Sequence, residues 1–218
     1  MKEVLPTIVP ETFADLSGKV NTLRSFASNI HIDAVDGVFA PNTTWLPGEK
    51  LPDAQDIFYE AHLMVSDPHT IGINFARAGA RRIIGHVEAF VNADAVSAAF
   101  DAWRTAGATE VGLALLIDTP LTLIEPYITH VDVVHLMTIP TIGSQGMMFD
   151  ERSFARIEEL HRIHPSLTIS VDGGIMHDLI PKLITAGATR LSIGSAIQNA
   201  DDPAIVYKSL LEEANRVY

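Results

Sequence analysis

Two polar residues, two positions apart in an apolar run, suggest where this chain does its chemistry. His31 and Asp33 lie in Asn29-Ile30-His31-Ile32-Asp33-Ala34-Val35-Asp36-Gly37. On a β-strand, residues i and i+2 project from one face. An imidazole and a carboxylate therefore leave the same side of a segment that otherwise reads as core. Both can hold a metal ion or move a proton, and burying them costs free energy unless something satisfies them. A hydrogen-bonded core pair is the plainer alternative, and a single H-x-D does not choose between the two.

The same placement recurs. His62 lies in Ala61-His62-Leu63-Met64-Val65, His86 ends Arg82 to His86, and Asp172 follows Leu167 to Val171 and precedes Gly173-Gly174. Each taken alone has an ordinary explanation: a strand-end His is often a hydrogen-bonded core residue, and a strand-end Asp often caps the next helix. Brought to one place, two His and two Asp form a four-ligand site for one divalent ion, with Zn, Fe, Mn and Co all suited to it. The chain has no Cys, which excludes thiolate zinc sites and disulfides.

Short apolar runs alternate with helical patterns along the chain. Strands are expected near 4–9, 30–34, 57–65, 82–86, 111–116, 131–137, 167–171 and 190–193. Helices are expected near 11–26, 68–78, 93–105, 120–128, 149–161, 176–185 and 204–217. Eight strand-led units in 218 residues predict a single (β/α)8 TIM barrel over residues 1–218. The strands are near-continuous apolar runs, as in a parallel sheet covered on both faces. Ala-Gly-Ala at 78–80, 106–108 and 186–188, each just before a strand, supplies the left-handed residue that ends a helix. An open doubly wound sheet is the runner-up, but no G-x-G-x-x-G follows the first strand. In a barrel, all the strand ends just named meet at one mouth.

Composition narrows the partners. Apolar residues make up 47% and charged residues 19% of the chain, which suits a well-buried globular enzyme. The 27 acidic against 15 basic residues give a formal charge of −12 and argue against nucleic acid and anionic membrane surfaces as partners. A phosphorylated substrate is compatible with this charge, because backbone amides bind phosphate without Lys or Arg. No run approaches the roughly 18 apolar residues a membrane span needs. The opening Met1-Lys2-Glu3-Val4-Leu5-Pro6 has no apolar signal region, so a cytoplasmic protein is expected.

The chain resembles the ribulose-phosphate 3-epimerase family over nearly its whole length. Pro6-Thr7-Ile8 is similar to that family's opening Pro-Ser-Ile. His31-Ile32-Asp33 with Asp36-Gly37, Phe39, Pro41 and Asn42 is similar to its H-x-D-x-x-D-G-x-F-x-P-N. His62-Leu63-Met64-Val65, His86-Val87-Glu88, Gly112-Leu113-Ala114-Leu115 with Thr119-Pro120-Leu121, Val171-Asp172-Gly173-Gly174 and Gly194-Ser195-Ala196-Ile197 follow in the family's order. The resemblance implies a ribulose-phosphate-binding barrel and a divalent metal held by His31, Asp33, His62 and Asp172. It implies interconversion of D-ribulose 5-phosphate and D-xylulose 5-phosphate through an enediolate. Asp33 and Asp172 would exchange the C3 proton on opposite faces of the sugar. Thr7, Met64, Met137, Gly143, Ser144, Gly173, Gly174, Gly194 and Ser195 would contact the sugar or its phosphate. Family members commonly self-associate.

Three departures bear on selectivity. Thr7 stands for the family's Ser and keeps a hydroxyl. Met64 and Met137 match two of three capping Met, with Val35 at the third position. After the sixth strand, Thr138-Ile139-Pro140-Thr141-Ile142-Gly143-Ser144-Gln145-Gly146 replaces N-P-G-F-G-G-Q. β-Branched residues resist the positive φ that Gly supplies in an anion-binding loop. Gly143, Ser144 and Gln145 still align with that loop, and Gly173-Gly174 and Gly194-Ser195 keep their amides for the phosphate. Trp45, in the altered loop after the second strand, reads as rim packing. Two other readings use the same residues. One is the same chemistry on another ketose or ketose phosphate. The other is a barrel that binds a sugar phosphate without turnover, which would have no use for two opposed carboxylates. Decarboxylases with D-x-K-x-x-D are disfavoured, because Val35 occupies the Lys position.

Overall fold

The computed structural model describes residues 1–53, 55–143 and 146–216. Eight parallel strands close into a barrel in sequence order: β1 (Glu3–Ile8), β2 (Asn29–Val35), β3 (Phe58–Met64), β4 (Arg82–His86), β5 (Glu110–Leu115), β6 (Val133–Met137), β7 (Ile169–Asp172) and β8 (Arg190–Ile193). β8 pairs with β1 to complete the ring. Helices α1 (Phe13–Leu23), α2 (Pro68–Ala78), α3 (Ala93–Ala106), α4 (Arg152–Ile163), α5 (Ile180–Ala186), α6 (Ser195–Gln198) and α7 (Pro203–Ala214) complete the chain. The expected (β/α)8 barrel is the observed fold.

Period-2 alternation divides each strand. Ile30, Ile32 and Ala34, Tyr59, Ala61 and Leu63, Val111, Leu113 and Leu115, and Val134 and Leu136 belong to the large apolar cluster shared with Leu16, Val20, Phe75, Phe100 and Trp103 of the helices. The intervening residues face the barrel axis. There Ile84, Ala114 and Val133 form a small separate apolar cluster. Much of the rest of the axis is polar and buried: His31, Asp33, Glu60, His62, Arg82, His86, His135, Ser170, Asp172, Arg190 and Ser192.

Helix starts and stops follow side-chain chemistry. Thr12, Asp67, Asn92 and Asp202 accept backbone N–H bonds at the N-termini of α1, α2, α3 and α7. Gly79, Gly107 and Gly187 end α2, α3 and α5 with φ of 115°, 126° and 119°, as the Ala-Gly-Ala repeat predicts. The fifth unit departs from expectation: Leu121–Tyr127 is a 3-10 helix, with Pro126 inside it removing a backbone donor. The four-residue α6 was not expected and is too short to show periodicity. Trp45 packs against Phe13 and Phe75, with ring centroids 5.6 and 6.2 Å apart, outside the barrel mouth.

Candidate active site

Parallel register brings the chemistry-bearing side chains to one level. Asp33 is paired with His62, Met137 with Asp172, and His135 with Ser170. At the C-terminal mouth a single pocket is lined by Thr7, Asp33, Val35, Met64, Met137, Ile139, Gly143, Asp172, Gly173, Gly174, Gly194 and Ser195, among others. Every pocket residue expected from the sequence is therefore present there, apart from Ser144, which lies outside the described residues. Thr7 Oγ1 is buried and has no hydrogen-bond partner among the described residues. His31 and His62 lie beneath the pocket, fully buried, whereas Asp33 and Asp172 are each 8% exposed.

The hydrogen bonds of the buried layer fix which nitrogen of each imidazole carries the proton. Burial alone would raise the Glu60 carboxyl, but His31, Arg82 and Arg190 hold it well below the usual carboxylate range. Glu60 Oε1 lies 2.5 Å from His31 Nδ1, and Arg82 Nη1 donates to Glu60 Oε2 at 2.8 Å. An ionised Glu60 accepts the Nδ1 proton, so His31, once its Nε2 proton is displaced, presents the Nε2 lone pair to the mouth. A second relay orients His62. Glu88 accepts from the Leu116 N–H at 2.8 Å and from the Thr119 hydroxyl, and lies 3.2 Å from His86 Nδ1. Burial pushes His86 down to about 4, so it is neutral at pH 7, donates through Nδ1 and accepts at Nε2. The proton between His86 Nε2 and His62 Nε2, 2.9 Å apart, must then come from His62. That leaves the His62 Nδ1 lone pair facing the carboxylates.

Two lone pairs and two carboxylates thus converge. Asp33 Oδ1 lies 3.1 Å from His31 Nε2 and 3.0 Å from His62 Nδ1. Asp172 Oδ2 lies 3.8 Å from His31 Nε2 and 3.6 Å from His62 Nδ1. Electron-rich atoms do not gather this way without a positive charge among them. One source is a proton. Although burial disfavours His31 charging, its hydrogen bonds with Asp33 and Glu60 hold its pKa well above the ordinary imidazole value. The other source is a divalent cation. Donors bonded to one ion at about 2.1 Å are about 3.0 Å apart at a right angle and about 3.4 Å apart at the tetrahedral angle. The observed separations fit that spacing with small side-chain shifts.

One residue escaped the sequence reading. His135 on β6 joins His31, His62 and Asp172 in a group whose ligand atoms all lie within 4.8 Å of one another. Its signal was present: Val133-Val134-His135-Leu136-Met137 places a His two before a pocket Met in an apolar strand. Glu60 was missed in the same way, two residues before His62.

The roof of the pocket is built differently. Val35, Ala40, Met64, Met137, Ile139 and Ile142 form a separate buried apolar cluster. Ile139 and Ile142 belong to the loop after β6, where Gly143 and Gly146 take positive φ of 84° and 79°. The Asn42 side-chain amide donates to the Gly143 carbonyl at 2.8 Å, tying this loop to the one after β2. Asp36 anchors the β2 loop by accepting from the backbone of Val38, Phe39 and Ser66 and from the Ser66 hydroxyl.

Comparison with known proteins agrees with this geometry. Residues 3–198 match the Ribulose-phosphate 3 epimerase family. A ribulose-phosphate 3-epimerase of Bacillus subtilis (strain 168) is 32% identical over 93% of this chain and 94% of its own. The one from Mycobacterium tuberculosis (strain ATCC 25618 / H37Rv) is 32% identical over 97% and 92%, and that of Schizosaccharomyces pombe 28% identical over 95% and 92%. Among solved structures, KGPDC from Streptococcus mutans superposes with a TM-score of 0.77 at 16% identity, covering 100% of this chain and 99% of that one. 3-Hexulose-6-phosphate synthase from Salmonella typhimurium gives 0.70 at 14% identity, with 98% of both chains covered. At such identities these two likenesses establish the fold alone. The sequence match over residues 3–198 and the curated relatives establish more: this chain belongs to the ribulose-phosphate 3-epimerase family, and with it to the isomerases.

Proposed function

We propose that the protein is a metal-dependent 3-epimerase that interconverts D-ribulose 5-phosphate and D-xylulose 5-phosphate. The observation that carries this reading is the pair of carboxylates, Asp33 and Asp172, bordering one pocket above a layer of buried imidazoles. His31, Asp33, His62 and Asp172 would hold one divalent ion, of which Zn, Fe, Mn and Co all suit the donor set. Such an ion, when bound, supplies Lewis-acid polarisation of the ketose C2 oxygen. The chain's own residues do the rest. One Asp takes the C3 proton to give an enediolate, and the other returns a proton to the opposite face. Burial would raise the Asp33 carboxyl, but the imidazoles of His31 and His62 beside it hold it well below the usual range, so it starts as a base. Thr7 Oγ1 is free to bond a sugar hydroxyl, and Met64 and Met137 wall the sugar. Gly173, Gly174, Gly194 and Ser195, with Gly143 and Ser144 from the loop after β6, would receive the phosphate.

The same reading takes residues 1–218 as one domain of a cytoplasmic protein. Its partner is a small sugar phosphate, with no nucleic acid or membrane, and a homo-oligomer is compatible with it. Among the described residues no helix is long and apolar enough to cross a membrane.

The test is isotopic. Metal-loaded protein is incubated with ribulose 5-phosphate in D2O and followed by NMR. Deuterium at C3 together with xylulose 5-phosphate is the expected result. Neither product nor exchange, with metal bound, would overturn the substrate assignment. It would favour a second reading, the same chemistry on another ketose, whose support is the apolar packing of Ile139 and Ile142 in the loop after β6.

A further inference from the structure

We propose that His135 is a third imidazole ligand of the metal, acting through Nε2, so that the ion rests on three buried imidazoles beneath the two pocket-lining carboxylates, Asp33 and Asp172. The proposal rests on the metal reading above and extends it to a residue outside the four-ligand set.

His135 is fully buried at the barrel axis. Its Nδ1 lies 3.0 Å from Ser170 Oγ, so the hydroxyl can accept the Nδ1 proton and set the tautomer and ring angle. Among the described residues its Nε2 has no hydrogen-bond partner. The nearest carboxylate oxygen is Asp172 Oδ2 at 3.6 Å, too far for a hydrogen bond. A buried imidazole with one anchored and one unpartnered nitrogen is costly unless the free nitrogen has a use. The free nitrogen points into the donor group already described. The ring stacks on His31 at 5.5 Å and 20°, and its centroid is 4.6 Å from that of His62. Nε2 and the oxygen of Asp172 stand as far apart as His62 Nδ1 and that same oxygen do, 3.6 Å in both cases. Asp172 therefore relates to both imidazoles as one ligand relates to another around a shared ion. None of the three imidazoles lines the pocket, whereas both carboxylates do, which leaves the pocket side open to substrate oxygens. Three nitrogen donors shift the preference toward Zn, Fe or Co and away from Mg or Mn.

The experiment uses the full chain loaded with Co(II). X-ray absorption counts the imidazoles on the metal, and chelator competition gives the affinity. Three imidazoles in the parent and two in His135→Leu, with affinity at least 10-fold weaker and far-UV circular dichroism unchanged, is the expected result. Ser170→Ala keeps His135 but frees its ring, and should weaken binding 10- to 100-fold. Two imidazoles in the parent would overturn the proposal without recourse to any variant, as would an unchanged count in His135→Leu. A parent that takes up no metal would instead overturn the metal reading itself, and this inference with it.

Discussion

The floor and the roof of the pocket are made by different means. On the floor, His31, His62 and His135 leave strands whose positions are set by parallel pairing, and Glu60, His86 with Glu88, and Ser170 lie against their outer nitrogens. On the roof, the loop after β6 is held mainly by burial of Ile139 and Ile142 against Val35, Met64 and Met137. Backbone pairing and charge place the chemistry; side-chain packing shapes what can reach it. Changes to the floor should therefore act on turnover and metal binding, and changes to the roof on substrate affinity.

The largest effect belongs to Asp172→Asn. It removes one proton-transfer group while keeping shape, and kcat should fall about 10²- to 10⁴-fold with little change in Tm. Unchanged turnover would take Asp172 out of the acid/base pair. Next is Glu60→Gln, which removes the buried negative charge between Arg82 and His31, leaves Arg82 with Glu110 as its charged partner, and lets the His31 tautomer drift. Denaturant unfolding should show a loss of about 3–5 kcal/mol, and metal titration an affinity about 10- to 100-fold weaker. A loss of stability with full metal affinity would separate the charge network from the site.

A smaller effect concerns pH. His86 takes a proton below about 4 when folded and below about 6.5 when unfolded. Between these values the unfolded chain holds more protons, so this residue makes stability rise with pH. Its contribution is complete above pH 6.5 and fades as pH falls toward 4, on the order of 3 kcal/mol at most. Metal-free protein melted from pH 4.5 to 7 should show a steeper rise than His86→Asn does; parallel curves would contradict a buried neutral His86. The smallest effect is at the roof. Ile142→Ala should raise KM several-fold at nearly constant kcat. The reverse pattern, kcat lost and KM kept, would erase the distinction between floor and roof.

Much of this was legible in the sequence, for reasons that also explain what was not. The strands were readable because both faces of a parallel barrel strand are buried, and the Ala-Gly-Ala turns because only Gly takes their φ cheaply. His31 and Asp33 stood out by i, i+2 spacing, and His62 and Asp172 by their places in the third strand and at the end of the seventh. His135 and Glu60 obey the same spacing but sit one layer deeper, where an isolated polar residue reads as a tolerated core substitution. Their roles depend on register with Ser170 and Arg82, which is a property of paired strands. The loop after β6 was read from what it lacks in glycine; its apolar packing on two methionines depends on contacts that sequence spacing does not encode.

Gly79, Gly107 and Gly187 close the helices at the strand entrances, the far end of the barrel from the pocket. A Cβ at Gly187 would come within 2.5 Å of the His161 side chain, so that face is already close-packed. Gly18, inside α1, is different: an added Cβ meets nothing within 4 Å, and Gly18→Ala should add about 0.5–1 kcal/mol. Robustness and selectivity are therefore separately mutable in this barrel. Reinforcement placed in the outer helices would give a laboratory lineage room to absorb costly changes around the mouth while it explores new sugars.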